Sequence, residues 1–214
     1  MIHIHCFTVN PLGENCYILH DDTREGVVID CGVLFPQEQQ EIRAYISSQG
    51  IRLRYALQTH MHFDHVFGID FLHQTYGLSP QCHAAERETY ARNADLALNL
   101  CGLRLPLPQV EIEPTLSHGQ TIQFGTSELC VLHTPGHTPG GLCFYNKQEG
   151  ILFSGDTLFQ GSVGRTDAPL GDWAQELTSI RTHLLPLPSS TTVYPGHGPS
   201  TTIGYERDHN PYLQ

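Results

Sequence analysis

The chain has 214 residues and a formal charge of −11 at pH 7. A surface this acidic has no general attraction for phosphate backbones, so nucleic acid is excluded as the expected partner. No apolar run approaches the roughly 20 residues that cross a bilayer, so neither a membrane span nor a membrane partner is expected. Seven cysteines, an odd number without CxxC spacing, argue against a disulfide framework and against a cysteine zinc finger. Residues 1–7 lack a signal-peptide pattern and look like a first strand, so a cytoplasmic address is expected. The unusual count is histidine, at 14. Histidine is the commonest metal ligand and a frequent acid or base.

Residues 2–9 alternate moderately, and residues 16–19 and 27–29 are apolar runs bounded by Gly, Asp and Asn; all three read as strands. Residues 37–49 read as a helix, with Ile42, Tyr45 and Ile46 on one face and Gly50 as its stop. A strand over 53–57 leads directly into Thr59-His60-Met61-His62-Phe63-Asp64-His65. One helix is predicted over 66–76, closing at Gly77, and a longer one over 84–100, ending at Gly102. Residues 105–108 read as a Pro-rich loop. Strands return at 121–124, 128–133, 142–145 and 151–153. Asp172 reads as the N-cap of a helix running to about His183. A last strand covers 192–194, with a short helix after it. No repeat, low-complexity tract or linker divides the chain, so one domain over 1–214 is expected. Two β-rich halves, each followed by helices, predict two sheets packed face to face with helices outside.

In an extended segment His60 and His62 point the same way and can reach one cation. Asp64 and His65 follow where the chain turns into a helix and point elsewhere. Four ligands in six residues crowd a single tetrahedral ion and suit two neighbouring metals better. His137, Asp156 and His197 each sit beside glycine just after a strand, where ligands from several strands can converge at one edge. Five histidines and two aspartates, with Asp156 shared, give two ions about four protein ligands each. Imidazole with carboxylate suits two divalent ions such as zinc, iron or manganese. Two such ions supply hydroxide at neutral pH.

The string from Thr59 to His65, followed by His137, Asp156 and His197, resembles the signature of the metallo-β-lactamase-fold hydrolases. The resemblance implies an αββα four-layer sandwich of the α/β (α+β) class. It implies His60, His62 and His137 on one metal, and Asp64, His65 and His197 on the other. Asp156 would bridge them and act, with Asp64, beside a metal-bridging hydroxide. Segments 133–141 and 154–159 resemble glyoxalase II, the hydroxyacylglutathione hydrolase, and the tail from Pro195 to Pro211 resembles its short bacterial relatives. That likeness implies hydrolysis of S-lactoylglutathione to D-lactate and glutathione, the thioester step of methylglyoxal detoxification. The expected likeness is to the short form, without the helical C-terminal domain of long glyoxalase II. Arg165, in Gly164-Arg165-Thr166-Asp167, aligns with the family's glutathione-contacting lysine and is a candidate substrate contact; an Arg165–Asp167 pair is the structural alternative. Asp30, after the strand 27–29, is a candidate for orienting a ligand histidine, with capping of a turn as the equal alternative.

The same Gly164 to Asp167 segment also resembles persulfide dioxygenases, which would use one iron on His60, His137 and Asp156. A β-lactamase of the export type is disfavoured by the N-terminal sequence, and RNA-processing relatives by the charge. The remaining histidines, 3, 5, 20, 73, 83, 118, 133, 183 and 209, have no metal-ligand setting.

Overall fold

The computed structural model describes residues 1–102, 104 and 107–214. The first half builds a six-stranded sheet from β1 (His3–Val9), β2 (Glu14–His20), β3 (Glu25–Ile29), β4 (Arg52–Leu57), β5 (Pro80–His83) and β6 (Glu113–Leu116), in that spatial order. The β1–β2–β3 run is antiparallel and β3–β4–β5–β6 is parallel. The second sheet holds β7 (Thr121–Phe124), β8 (Ser127–His133), β9 (Leu142–Asn146), β10 (Ile151–Gly155), β13 (Thr192–Pro195) and β14 (Thr201–Thr202), ordered β14-β13-β10-β9-β8-β7. A small ribbon, β11 (Leu158–Phe159) and β12 (Ser162–Val163), lies between β10 and the next helix in sequence.

Period-two alternation decides which face each strand residue serves. Tyr17, Leu19, Val27, Ile29 and Leu57 from the first sheet meet Phe124, Leu129, Val131, Phe144 and Phe153 from the second in one buried cluster. The alternate residues face outward. Cys16, Ile18 and Val28 pack under Ile42 and Ile46 of α1 (Pro36–Gln49) and under Phe71 and Leu72 of α3 (Ile69–Tyr76). On the far side, Cys143, Leu152 and Val193 pack under Ile180, Leu184 and Ile203. Ile180 and Leu184 belong to the wide helical turn that continues α6 (Trp173–Ser179), and Ile203 opens α7 (Ile203–His209). Helix, sheet, sheet and helix therefore stack as the expected αββα layers.

The helix boundaries differ from expectation in two places. Residues 66–76 are not one helix: α2 (Phe63–Val66) starts inside the histidine motif, and the chain breaks before α3. The break is held by Gly68, whose N–H donates to the Cys31 carbonyl at 2.8 Å; a Cβ there would run into Val33 and Cys31. Residues 84–100 likewise split into α4 (Glu86–Ala91) and α5 (Asn93–Cys101). There the buried Asn93 side chain donates to the Met61 carbonyl at 2.8 Å, which fixes the chain at the joint. Of the expected Pro-rich loop, residues 105 and 106 lie outside the described residues. Asp172 caps α6 as expected, its Oδ1 accepting from the Gln175 N–H at 3.0 Å.

Direction matters for the site. β8 and β10 are each antiparallel to β9, and β10 is parallel to β13, so β8, β10 and β13 run the same way. Their C-terminal ends share one edge. The turn joining β9 to β10, residues 147–150, lies at the opposite edge and carries the exposed Lys147.

Candidate metal centre

Four loops leave strand ends at that shared edge. The loop after β4 carries His60, His62, Asp64 and His65; those after β8, β10 and β13 carry His137, Asp156 and His197. At the end of β10 the pairing with β13 shifts register between Phe153 and Gly155. Such a bulge re-aims the next side chain, here Asp156. Gly155 has φ +50, and a Cβ on it would collide with Thr59, so the turn and the close approach both need glycine.

The seven predicted residues come together. His60, His62 and His137 offer ligand atoms within 4.8 Å of one another, and so do Asp64, His65 and His197. Asp156 stands between the groups. Its Oδ2 is 3.6 Å from His137 Nε2 and 3.7 Å from His197 Nε2, and its Oδ1 is 3.5 Å from His65 Nε2. Asp64 Oδ2 is 3.2 Å from His197 Nε2.

The imidazoles are oriented from behind. His137 Nδ1 lies 2.7 Å from the Arg165 carbonyl and His197 Nδ1 lies 3.2 Å from the Gly13 carbonyl. A carbonyl only accepts, so both Nδ1 atoms carry a proton, and in the neutral rings both Nε2 atoms are left to present a lone pair to the centre. His65 Nδ1 meets the Asp30 carboxylate at 3.0 Å. Asp30 Oδ2 also accepts from the Thr59 hydroxyl at 2.7 Å, leaving that oxygen to accept from His60 Nδ1 at 3.1 Å. Asp30 thus sets one imidazole directly and a second through one hydroxyl, the orienting role expected of it. Asp30, His60 and His65 form a third cluster of ligand-type atoms. The Asp30 oxygens are already committed to Thr59 and His65, so that cluster is an orienting network.

Two observations fit cations at this place. His60 Nε2 and Asp156 Oδ1 are buried with no hydrogen-bond partner among the described residues. A buried polar atom left unpaired is costly unless something else binds it. In addition, His62 Nδ1 and His137 Nε2 approach to 2.9 Å, and the Nε2 atoms of His65 and His197 to 3.3 Å. Paired ring nitrogens aimed at each other in this way share one cation readily. The donor set is imidazole and carboxylate, which suits a borderline divalent ion.

Charge states follow from burial and neighbours. Burial holds His60 well below the usual histidine range and pushes His62 down to about 3, with nearby imidazoles adding to both effects. Burial also opposes a charged His65, but Asp156 and Asp64 outweigh it and raise this imidazole well above the ordinary value. The same balance, with His65 as the main partner, holds Asp156 well below the carboxylate range despite its burial. The carboxylates are therefore ionised, as ligation requires.

Two contributors were not legible in the sequence. The fully buried Glu86 accepts from the Met61 N–H at 2.7 Å with one oxygen and from the Gly140 N–H at 2.8 Å with the other. Met61 lies between His60 and His62, and Gly140 lies in the His137 loop, so one carboxylate ties both loops together. Together with Asn93 on the Met61 carbonyl, it grips both polar groups of that residue's backbone. Glu176 of α6, also fully buried, accepts from the His137 N–H at 2.7 Å, and burial pushes its carboxyl up to about 8. Both glutamates look like ordinary surface-helix residues in sequence. Only full burial of an acid marks them, and that is a tertiary fact.

Arg165 lies beside the centre, with Nε and Nη2 on the two Asp167 oxygens at 2.8 and 3.0 Å. The ligand groups open into a cavity of about 620 Å³ lined by His62, Asp64, His137, Asp156, Arg165 and His197 on its polar side. The other histidines pack elsewhere: His83 stacks on His133, His118 leans on His183, and His5 stacks on Tyr45. No helix among the described residues is long and apolar enough to cross a membrane.

The sequence profile of the metallo-beta-lactamase superfamily matches residues 9–197. A probable metallo-hydrolase, YqgX of Bacillus subtilis, is 36% identical over 208 residues, covering 96% of this chain and 94% of that protein. The hydroxyacylglutathione hydrolase GloC of Haemophilus influenzae is 33% identical over 216 residues, covering 99% and 98%. Among solved structures, the BLEG-1 B3 metallo-beta-lactamase superposes with a TM-score of 0.88 at 34% identity, covering 99% of this chain and all of that one. TTHA1623, solved in a di-iron-bound form, gives 0.85 at 38% identity, covering 98% and 100%. With profile, relatives and fold in agreement over nearly its whole length, the chain belongs to the metallo-beta-lactamase superfamily.

Proposed function

We propose that the protein is a metal-dependent thioester hydrolase of the glyoxalase II type, with S-lactoylglutathione as its reference substrate. The observation that carries this reading is the double ligand set with Asp156 between its halves, opening on a cavity of ligand size. In the proposed assignment His60, His62 and His137 hold one divalent cation, Asp64, His65 and His197 hold the second, and Asp156 serves both. When bound, two such ions lower the pKa of coordinated water and polarise a carbonyl.

The chain's own residues do the rest. Asp30 and Thr59 fix the His65 and His60 rings; the Arg165 and Gly13 carbonyls fix those of His137 and His197. Overall, water adds to the acyl carbon, the C–S bond breaks, and the thiol leaves with the remaining proton. Its pKa of about 8–9 makes it a good leaving group, so no protein general acid is required. Similarity to a hydroxyacylglutathione hydrolase supports the thioester class, and the di-iron relative supports iron alongside zinc or manganese as occupant. Arg165 is the cation on the cavity wall and our candidate for a glutathione carboxylate. Arg165→Ala should raise KM for S-lactoylglutathione more than it lowers kcat; an unchanged KM would leave Arg165 as Asp167's partner alone.

The reading is tested by measuring metal content together with S-lactoylglutathione hydrolysis. Close to two divalent cations per chain with turnover supports it. One iron per chain, no hydrolysis, and oxygen uptake with glutathione persulfide would replace it with the persulfide dioxygenase reading.

A further inference from the structure

The cavity has a second side. Away from the ligands its wall is apolar, formed by Leu12, Phe63, Leu96, Leu100, Phe159 and Val163. Leu12 and Leu100 are 46% and 49% exposed, and both line this one opening. Large apolar groups gathered at one concave opening mark a binding surface more strongly than the same groups scattered. The wall also has backing. Phe63, Leu96 and Ala97 form a buried cluster of their own, with Phe67 and Leu107 packed against it. Polar recognition is scarce by comparison. Arg165 supplies the cation among the lining residues, and two of its N–H groups are spent on Asp167. Glutathione carries two carboxylates and one ammonium group. A wall with one guanidinium meets one of those carboxylates and leaves the rest of the tripeptide's charge without a partner among the lining residues.

We propose that this wall is a substrate subsite for an apolar chain borne by the thioester. Resting on the thioesterase reading above, the proposal makes chain length, more than the glutathione tripeptide, the determinant of specificity. Each methylene taken from water onto such a wall is worth a factor of about three to four in kcat/KM.

The test uses metal-loaded protein and two substrate series, with S-lactoylglutathione as reference. One series lengthens the acyl half: acetyl, butyryl and hexanoyl thioesters of N-acetylcysteamine. The other lengthens the thiol half: acetyl thioesters of ethanethiol, butanethiol and hexanethiol. We expect kcat/KM to climb about three- to four-fold per methylene in one series; the series that climbs identifies the half that carries the chain. Leu100→Asp, at a half-exposed position, should flatten the gradient with metal content intact. A flat or falling profile in both series, with S-lactoylglutathione hydrolysed, overturns the subsite and leaves the thioesterase reading standing. An unchanged gradient in Leu100→Asp also overturns it. If protein holding both cations turns over no thioester, the thioesterase reading falls and the subsite falls with it.

Discussion

Asp30 accepts from the Thr59 amide, the Thr59 hydroxyl and His65 Nδ1, so its carboxylate governs imidazoles in both ligand groups. Losing such a partner typically costs 10–100-fold in metal affinity. Asp30→Ala should therefore weaken both cations by about that factor in a cobalt titration followed by absorbance; two unshifted affinities would remove the orienting role. Glu86 makes a narrower prediction. Its two backbone partners flank His62 and His137, which share one group and are absent from the other. In Glu86→Gln an amide NH₂ must face one of those N–H donors, so one buried bond is lost. The cation on His60, His62 and His137 should bind about 10-fold more weakly, with the Asp64, His65 and His197 site unmoved. Equal weakening of both sites would mean general loosening. The two residues also mark what sequence can reveal. The seven ligand candidates and Asp30 stand beside motifs and strand ends, where chemistry shows in local spacing. Glu86 acts on positions 25 and 54 residues away, and no local pattern encodes that.

Among the elements, the longer apolar strands were legible and two short strands carrying proline were not. β2, β3, β9 and β10 have runs of buried residues and stand close to where the apolar pattern puts them. β5 and β6 are four residues each and carry Pro80 and Pro114, and a proline within so short a run argues against a strand. The broken helices were misread because their breaks come from outside the helix, from the Cys31 carbonyl on Gly68 and from Asn93 on Met61. One link between elements of the two sheets carries a pH signature. Asp21, just past β2, accepts from the Thr126 amide at 2.6 Å and hydroxyl at 2.9 Å in the β7–β8 turn, and from Thr23. Burial opposes its charge, but these hydrogen bonds outweigh it and hold the carboxyl below the usual range. A depressed folded-state pKa stabilises fully above the unfolded value of about 3.9 and is lost as pH falls below it. Asp21→Asn should thus lower urea-unfolding stability at pH 7, with the gap to the parent closing as the pH is taken below about 4. A gap independent of pH would assign the loss to packing.

In the molecule as a whole, the ligand groups join the two sheets: β4 of one feeds the first loop, and β8, β10 and β13 of the other feed the remaining three. A cation bound there belongs to both layers and only to the folded state. At a free concentration about 1,000 times its Kd it adds ~4 kcal/mol of stability. For a chain of this size that is about 8–16 °C in Tm. Chelation should lower Tm by that amount, and re-addition of zinc, iron or manganese should restore it; a melt insensitive to chelator would mean the sheets dock without help. The opposite edge has its own use. Lys147, the only lysine in the chain, sits on the turn between β9 and β10, where Glu149 also holds the Ile2 amide at 2.7 Å. The N-terminal amine lies 3.8 Å from the same Glu149, so amine-directed coupling through either group would tether the molecule by the edge opposite the ligand loops. A surface or resin loaded in this way would carry the protein in one orientation, with every cavity mouth turned toward the solution.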